Sequence, residues 1–414
     1  MIPMSDPPAL PGSLRTRRGP LPLPAFLPDA TLAVVKTLGT DDLLAVGVEA
    51  LMVNAFHLSR APGVDLIARL GGVHPFMGWS GPVASDSGGF QAYSLLAGKG
   101  AGKRAVKGGA GRDSGRVHLA GLSDEGFTLQ SPARARRQIL TPEKSIRQQL
   151  RLGADILFCL DQCTHPAAPP AVQRESVRRT VEWARRCRQA LDAALDPPAS
   201  NARRGVARGA RAHAAAAEEA MAQAAVPEEA RPLLFAVVQG GASPELRREC
   251  MEQLAAIGFD GYAFGGWPVD ERGALEEMAG FMARLAPQGC VLHGLGIGKP
   301  ETLVAAWREG YRLFDCVIPT RDGRHGRLYS FTEAPETSSL SGRGFYREQQ
   351  ISTGKFAREK RPVEEGCPCP LCRRYPAAYL HHLFQIQDPA GARLASLHNL
   401  TFYRRLIDVL RAKA

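Results

Sequence analysis

The residues of this sequence that could do chemistry fall into a thiol cluster and a set of carboxylates. Cys367, Cys369 and Cys372 in CPCPLC form a Cys-x-Cys-x-x-Cys array, a spacing that brings three thiolates to one metal ion in a reduced compartment. Three soft ligands favour zinc. A histidine is the expected fourth ligand, and spacing alone does not separate His381, His382 and His398. No water-activating acid motif adjoins the cluster, so the reading is a structural site with four protein ligands and no open position. A redox dithiol is the competing use. The other six cysteines (Cys159, Cys163, Cys187, Cys250, Cys290, Cys316) are scattered in apolar or helical context, as reduced core thiols are.

The carboxylates stand at the ends of apolar runs. ILFCL stops at Asp161, PVAS at Asp86, LLFAVV at Gln239 and LMV at Asn54. Asp315 lies inside the run LFDCVI, where an ionised acid is costly unless it is paired or used. Arg321, Arg324, His325 and Arg327 follow it at once, and Lys299 ends the loop GIGKP. A carboxylate beside a cationic rim suits a substrate with a phosphate backbone. In ASDSGGFQAYSL the Ser-Gly-Gly turn lets a ligand approach the backbone, and Phe90 offers a ring for stacking on a base. VVQGG and FGGW repeat the glycine pair, where N–H groups can face a planar ligand. Asp and Asn also end strands and cap helices for purely structural reasons.

Eight apolar runs must position these groups: near Phe26, then at 50–53, 82–85, 156–160, 233–238, 262–264, 291–295 and 313–318. Helix-length segments separate them, which predicts an α/β fold, a closed parallel (β/α)8 TIM barrel whose catalytic groups gather at the carboxyl ends of its strands. Thr141, Pro142 and Glu143 read as a helix start, with Ile146 and Leu150 on one face. Val177, Val181, Ala184 and Leu191 keep helical spacing, while Arg178, Arg179, Arg185 and Arg186 are expected to be solvated. The organisation expected is an N-terminal tail over 1–23, a barrel over 24–340, and a zinc-binding subdomain over 341–414 packed on it. A basic Gly- and Lys-rich loop at 98–114 and an Ala- and Arg-rich insertion at 197–231 interrupt the barrel.

Lys and Arg number 52 against 41 Asp and Glu, a formal net charge of +11, which favours polyanionic partners and points to nucleic acid. The start MIPMSDPPALPG has neither a basic nor an apolar character, and no run approaches a membrane span, so a cytoplasmic protein with no membrane partner is expected.

DSGGFQ (86–91), LTPEKSI (140–146), VVQGG, GFDGYAFGG (258–266), GIGKPETL (296–303), FDCVIPTRDGRHG (314–326), CPCPLC, AYLHHL and LHNL, in this order, resemble the tRNA-guanine transglycosylases. The resemblance covers roughly residues 24–95, 121–195 and 233–405. It implies a pentosyltransferase of queuosine tRNA modification, a homodimer that exchanges the wobble guanine of tRNA for a 7-deazaguanine base. It also implies one structural Zn2+ per chain, with His398 of LHNL as the fourth ligand. Asp315 matches the nucleophile that attacks the anomeric ribose carbon, and Asp86 the carboxylate that shuttles a proton to the leaving and from the incoming base. The logic is that of a retaining glycosidase. Asp161 matches the acid that reads the base edge. Gln239 and the Gly266 N–H would donate to the base carbonyl, and Phe90 and Leu295 would sandwich a ring flipped out of the tRNA. Asn54 joins this substrate-binding set, and Lys299, Arg321 and Arg324 would hold anticodon phosphates.

The chain departs from the family at Gln162, where bacterial members usually carry Glu, and at Trp267-Pro268-Val269, where small or leucine-like residues are usual. Val269 fills space that queuine-using relatives leave to glycine, which points to the smaller prequeuosine base, 7-aminomethyl-7-deazaguanine. Three other readings share parts of the pattern. A non-catalytic tRNA-binding subunit would not need Asp86 and Asp315. A paralogue that inserts a deazapurine into DNA would meet the same guanine. A glycoside hydrolase would want more aromatic platforms at its strand ends than this sequence has.

Overall fold

A computed structural model describes residues 11–97, 118–130, 137–196, 230–270, 272–336, 340 and 342–414. The basic loop at 98–114 and all but the last two residues of 197–231 lie outside the described residues. The eight apolar runs form eight strands: β1 (Ala25–Pro28), β2 (Leu51–Asn54), β3 (Val83–Asp86), β4 (Ile156–Phe158), β5 (Leu233–Val238), β6 (Gly261–Phe264), β7 (Val291–Gly294) and β8 (Tyr311–Cys316). They make one parallel sheet in the order β1-β8-β7-β6-β5-β4-β3-β2. Its two edges meet through a single parallel bridge, Asp29 to Met52, where the Ala30 N–H donates to the Met52 carbonyl at 2.7 Å. That bridge rolls the sheet into a barrel.

Successive strand residues alternate between the two faces of a sheet, and the inward rows are apolar low in the barrel. Ala25 and Leu27, Met52, Ala84, Ile156 and Phe158, Phe235 and Val237, Ala263, Val291 and Leu313 form one buried cluster. Carrying seven of these rows two residues further reaches Asp29, Asn54, Asp86, Gln239, Gly265, His293 and Asp315, while the β4 row reaches Leu160, with Asp161 the next residue. The pleat thus turns polar groups inward only at the carboxyl ends of the strands.

Residues 13–22, read from sequence as part of a tail, close the opposite end. Ser13–Thr16 pairs with Gly19–Pro22 as an antiparallel hairpin, and Leu14, Leu21 and Leu23 join the interior cluster. Arg17 pins the hairpin to the start of β4, donating to the carbonyls of Gly153 at 3.0 Å and Ala154 at 2.6 Å and to Asp155 Oδ1 at 3.3 Å. Asp155 is fully buried and also accepts from the Val83 N–H and His74 Nε2.

The helices α1 (Thr40–Ala45), α2 (Val64–Arg69), α3 (Pro142–Leu152), α4 (Pro170–Leu195), α5 (Pro244–Ile257), α6 (Glu277–Leu285), α7 (Pro300–Arg308) and α8 (Pro389–Ala412) follow the strands in turn. As its sequence predicts, α3 is capped by Thr141, whose Oγ1 accepts from the Lys144 N–H at 3.2 Å. On α4, Val177, Val181, Ala184 and Leu191 are buried as expected. The expectation that its arginines are all solvated does not hold. Arg178 and Arg185 are about half exposed, but Arg179 and Arg186 are folded down onto a three-stranded sheet (His118–Ser123, Gly126–Gln130, Gln138–Leu140) inserted between β3 and β4. Arg179 Nε donates to Asp124 at 3.0 Å and Arg186 Nε to Glu143 at 2.6 Å.

Between β8 and α8 come a short helix (Ile318–Arg324), a hairpin (Arg327–Phe331 with Tyr346–Gln350) and the cysteine segment. Position 340 falls inside that hairpin. Helix α8 belongs both to this excursion and to the barrel. Asn399 donates to the Pro319 and Arg327 carbonyls at 2.9 Å, while Tyr403 lies 4.9 Å, ring to ring, from Phe26 of β1. Among the described residues no helix is long and apolar enough to cross a membrane.

Candidate active site and metal centre

The carboxyl ends of the strands surround a cavity of about 390 Å³. Asp29, Asp86, Asp161 and Asp315 all line it, and no described lysine or arginine does. Asp86, at the end of β3, is met by neutral donors: Asn54 Nδ2 at 2.8 Å, Gln91 Nε2 at 3.0 Å and the Gly88 N–H at 3.4 Å. Burial nevertheless pushes its carboxyl above the ordinary range, with Asp315 adding to the effect. Asn54 is held at both ends of its amide, its Oδ1 accepting from the His57 N–H at 3.1 Å while its Nδ2 donates to Asp86. Its geometry is that of a residue that positions Asp86.

Asp161 is buried and accepts from Gln239 Nε2 at 2.7 Å. Burial is the largest influence on it and pushes its carboxyl up to about 7, with the nearby Asp86 acting in the same direction. Gly89 is required here by close approach: a Cβ would sit 2.9 Å from the carbonyl and Oδ1 of Asp161. The glycine of the Ser-Gly-Gly turn therefore makes room for Asp161 itself. Gly266 has φ +97, a conformation open to glycine, and its neighbour Gly265 leaves space that the Gln239 amide fills. Phe90, 47% exposed, and Leu295 line the cavity. Gln239 stands behind Asp161.

Asp315, on β8, has one oxygen fully engaged. Its Oδ1 lies 2.8 Å from His293 Nε2 and accepts the Gly296 N–H at 3.3 Å. Lys299, Arg321 and Arg324 are not in the cavity wall. They sit where α7 and the Ile318–Arg324 helix leave β7 and β8, forming the basic rim of the same face.

Asp29 in the wall, and His293 and Arg247 behind it, escaped the sequence reading, which named Trp267 only as a departure. Asp29 extends the inward row of Ala25 and Leu27, and burial raises its carboxyl despite donation from the Thr31 N–H at 2.7 Å. His293 extends the row from Val291, so alternation would have found both. Trp267 packs its ring 6.1 Å from Phe90, 5.6 Å from Tyr93 and 5.7 Å from His165, narrowing one side of the cavity. Arg247, fully buried on α5, donates to the Val238, Gly241 and Gly265 carbonyls and covers the Phe264 ring at 4.0 Å, fixing the backbone that carries Gly266. Nothing local in the sequence separates it from the exposed arginines. Gln162, the position where an acid was expected, points its amide oxygen at Arg179 and away from the cavity.

The metal ligands come together at a distance from the cavity. The ligand atoms of Cys367, Cys369, Cys372 and His398 all lie within 4.8 Å of one another. His398 Nδ1 is 3.7, 3.5 and 3.4 Å from the three sulfurs, close to the edge of about 3.6 Å expected for a tetrahedron with zinc-like bond lengths. His398 Nε2 donates to the Tyr329 carbonyl at 2.8 Å, which fixes the ring with Nδ1 toward the sulfurs. The set fits one metal ion. His381 instead turns Nδ1 to the Ile351 carbonyl at 2.8 Å.

A sequence profile described as queuine tRNA-ribosyltransferase matches residues 9–413. Among similar proteins, the queuine tRNA-ribosyltransferase of Syntrophobacter fumaroxidans is 36% identical over 97% of this chain and 88% of its own. That of Novosphingobium aromaticivorans is 34% identical over 97% and 90%, and that of Zymomonas mobilis 32% over 97% and 87%.

Two outcomes follow from this geometry. Ionising Asp161 opposes folding: the cost is absent below 3.8, where folded and unfolded chains both keep the proton, and is complete once the pH passes about 7. Asp161→Asn keeps an acceptor for Gln239 without the charge. The variant should therefore melt above the wild type at about pH 8, with a smaller gap at about pH 5; a gap that does not change with pH would contradict this. Elemental analysis of the purified protein should find one metal ion per chain, lost in Cys369→Ser and retained in His381→Ala. The reverse pattern would remove His398 from the ligand set.

Proposed function

Because the chain belongs to the queuine tRNA-ribosyltransferase family, we propose that it exchanges the wobble guanine of tRNA for a 7-deazaguanine base through a covalent aspartyl-ribose intermediate. The observation that carries the proposal is the convergence of Asp315 and Asp86 on one cavity with Asp161 in the same wall. In the first half-reaction an Asp315 oxygen bonds to ribose C1′, the bond to guanine breaks, and guanine takes a proton from Asp86. A carboxyl raised by burial suits that acid role. In the second half-reaction the incoming base bonds to C1′, its proton returns to Asp86, and Asp315 is released.

Asp161 accepts from the N–H groups on the base edge, Gln239 and the Gly266 N–H donate to its carbonyl, and Phe90 and Leu295 enclose the ring. Asn54 acts through Asp86. Lys299, Arg321 and Arg324 on the rim, and the formal charge of +11, are suited to anticodon phosphates. An acidic cavity and the bulk of Trp267 and Val269 support the small cationic prequeuosine base over queuine. Zinc suits the three thiolates and one imidazole, where it would fasten the fold and supply no catalysis. The resemblance alone adds a homodimer, and a cytoplasmic location rests on the sequence composition.

Wild-type protein mixed with unmodified tRNA and no competing base should form a linked protein–RNA species that survives denaturing electrophoresis and disappears when base is added. Asp315→Asn should form none, since an amide is a poor nucleophile at an anomeric carbon. A linked species that persists in Asp315→Asn and is absent in Asp86→Asn would exchange the two roles.

A further inference from the structure

His293 is fully buried on β7, with Val291 before it on the same inward row and the Phe158 ring 5.2 Å away, edge to face. Its Nε2 lies 2.8 Å from Asp315 Oδ1, and its Nδ1 is buried with no hydrogen-bond partner among the described residues. Leaving a buried polar atom bare costs stability, and an apolar side chain would fill an apolar row without that cost. The imidazole therefore has to be explained by what Nε2 does. Because Oδ1 already accepts the Gly296 N–H, it is an acceptor, and Nε2 is the nitrogen that carries the proton.

We propose that His293 is the positioning residue of the nucleophile, and that its hydrogen bond chiefly serves the release of the ribosyl group from Asp315. This rests on the reading of Asp315 as the covalent nucleophile. With Oδ1 tied by two N–H donors, Oδ2 is the oxygen left for attack on C1′. Once the ester has formed, Oδ1 is a carbonyl oxygen and the hydrogen bond from His293 is weak. When the bond from Oδ2 to C1′ breaks, the electron pair returns to Asp315, the incoming base nitrogen bonds to C1′, and its proton passes to Asp86. Negative charge reappears on the carboxylate that His293 faces, so the bond strengthens in step with bond breaking. Formation gains less, because the same bond already stabilises the carboxylate before attack.

The experiment follows the linked species through both steps in single-turnover mixtures, first with unmodified tRNA alone and then after addition of excess guanine. His293→Leu should slow discharge by about ten- to a hundredfold, the loss expected for one hydrogen bond to a charged group. It should slow formation much less, so that the linked species accumulates during turnover and kcat falls with little change in KM for tRNA. His293→Gln places an amide donor near the position of Nε2 and should restore discharge; His293→Asn, whose amide reaches only the position of Nδ1, should not. If the Leu variant does not fold, the Gln and Asn pair carries the same test. Equal slowing of both steps, unchanged rates in His293→Leu, or equal rates in the Gln and Asn variants would each overturn the role of His293. A wild-type protein that forms no linked species would instead overturn the reading of Asp315, and the two failures are thereby distinguished.

Discussion

Four aspartates share the mouth of this barrel without a lysine or arginine in the described wall of their cavity, and that crowding governs how the surrounding structure is built. Three of the acids are met by neutral donors, Thr31 for Asp29, Asn54 and Gln91 for Asp86, and Gln239 for Asp161, while Asp315 is met by His293 and the Gly296 N–H. Neutral donors orient a carboxylate without cancelling its charge, so burial still raises Asp29, Asp86 and Asp161. A guanidinium in the wall would relieve this and also occupy the acids. Kept free of ion pairs, they would be available, under the proposed function, to the donors of a purine edge and to the positive charge that develops on a ribose carbon as its base departs. The cations stand outside, on the rim, where a polyanion meets them first.

Much of this was legible in the sequence because a barrel strand alternates its faces. The eight apolar runs are the eight strands, and Asp86, Asp161 and Asp315 are found by the polar residue that breaks or ends each run. The same alternation extends to His293 and Asp29, which went unread because a histidine flanked by leucine and glycine, or an aspartate after a proline, reads equally well as a strand end. Other features depend on contacts far apart in the chain. Arg17 meets Asp155 across 138 residues, and Arg186 meets Glu143 across 43, so the hairpin that seals the barrel and the clamp beneath α4 have no local signal. Arg247 is buried because three carbonyls converge on it, a property of the fold that its helical neighbours do not announce.

The metal ligands illustrate how a distant site can serve the cavity. His398 lies on α8, one residue before Asn399, which bonds the segment carrying Pro319 and Arg327. The same helix packs Tyr403 against Phe26 of β1. A metal ion joining the cysteine segment to His398 would therefore fasten one helix that touches both β1 and the exit from β8. The rim arginines and Asp315 lie along that exit. The cysteine segment stands between the last strand of the barrel and its last helix, which explains why the barrel and the metal-binding region do not divide cleanly at one residue.

The role proposed for these buried acids is the exchange of a base in tRNA. Its most direct measurement is incubation of the protein with radiolabelled guanine and, separately, unmodified tRNA or duplex DNA, followed by counting of the acid-precipitable polymer and mapping of the label. Label is expected in tRNA alone, approaching one guanine per molecule at the wobble position. Label in duplex DNA, label elsewhere in the tRNA, or none in either polymer would contradict it.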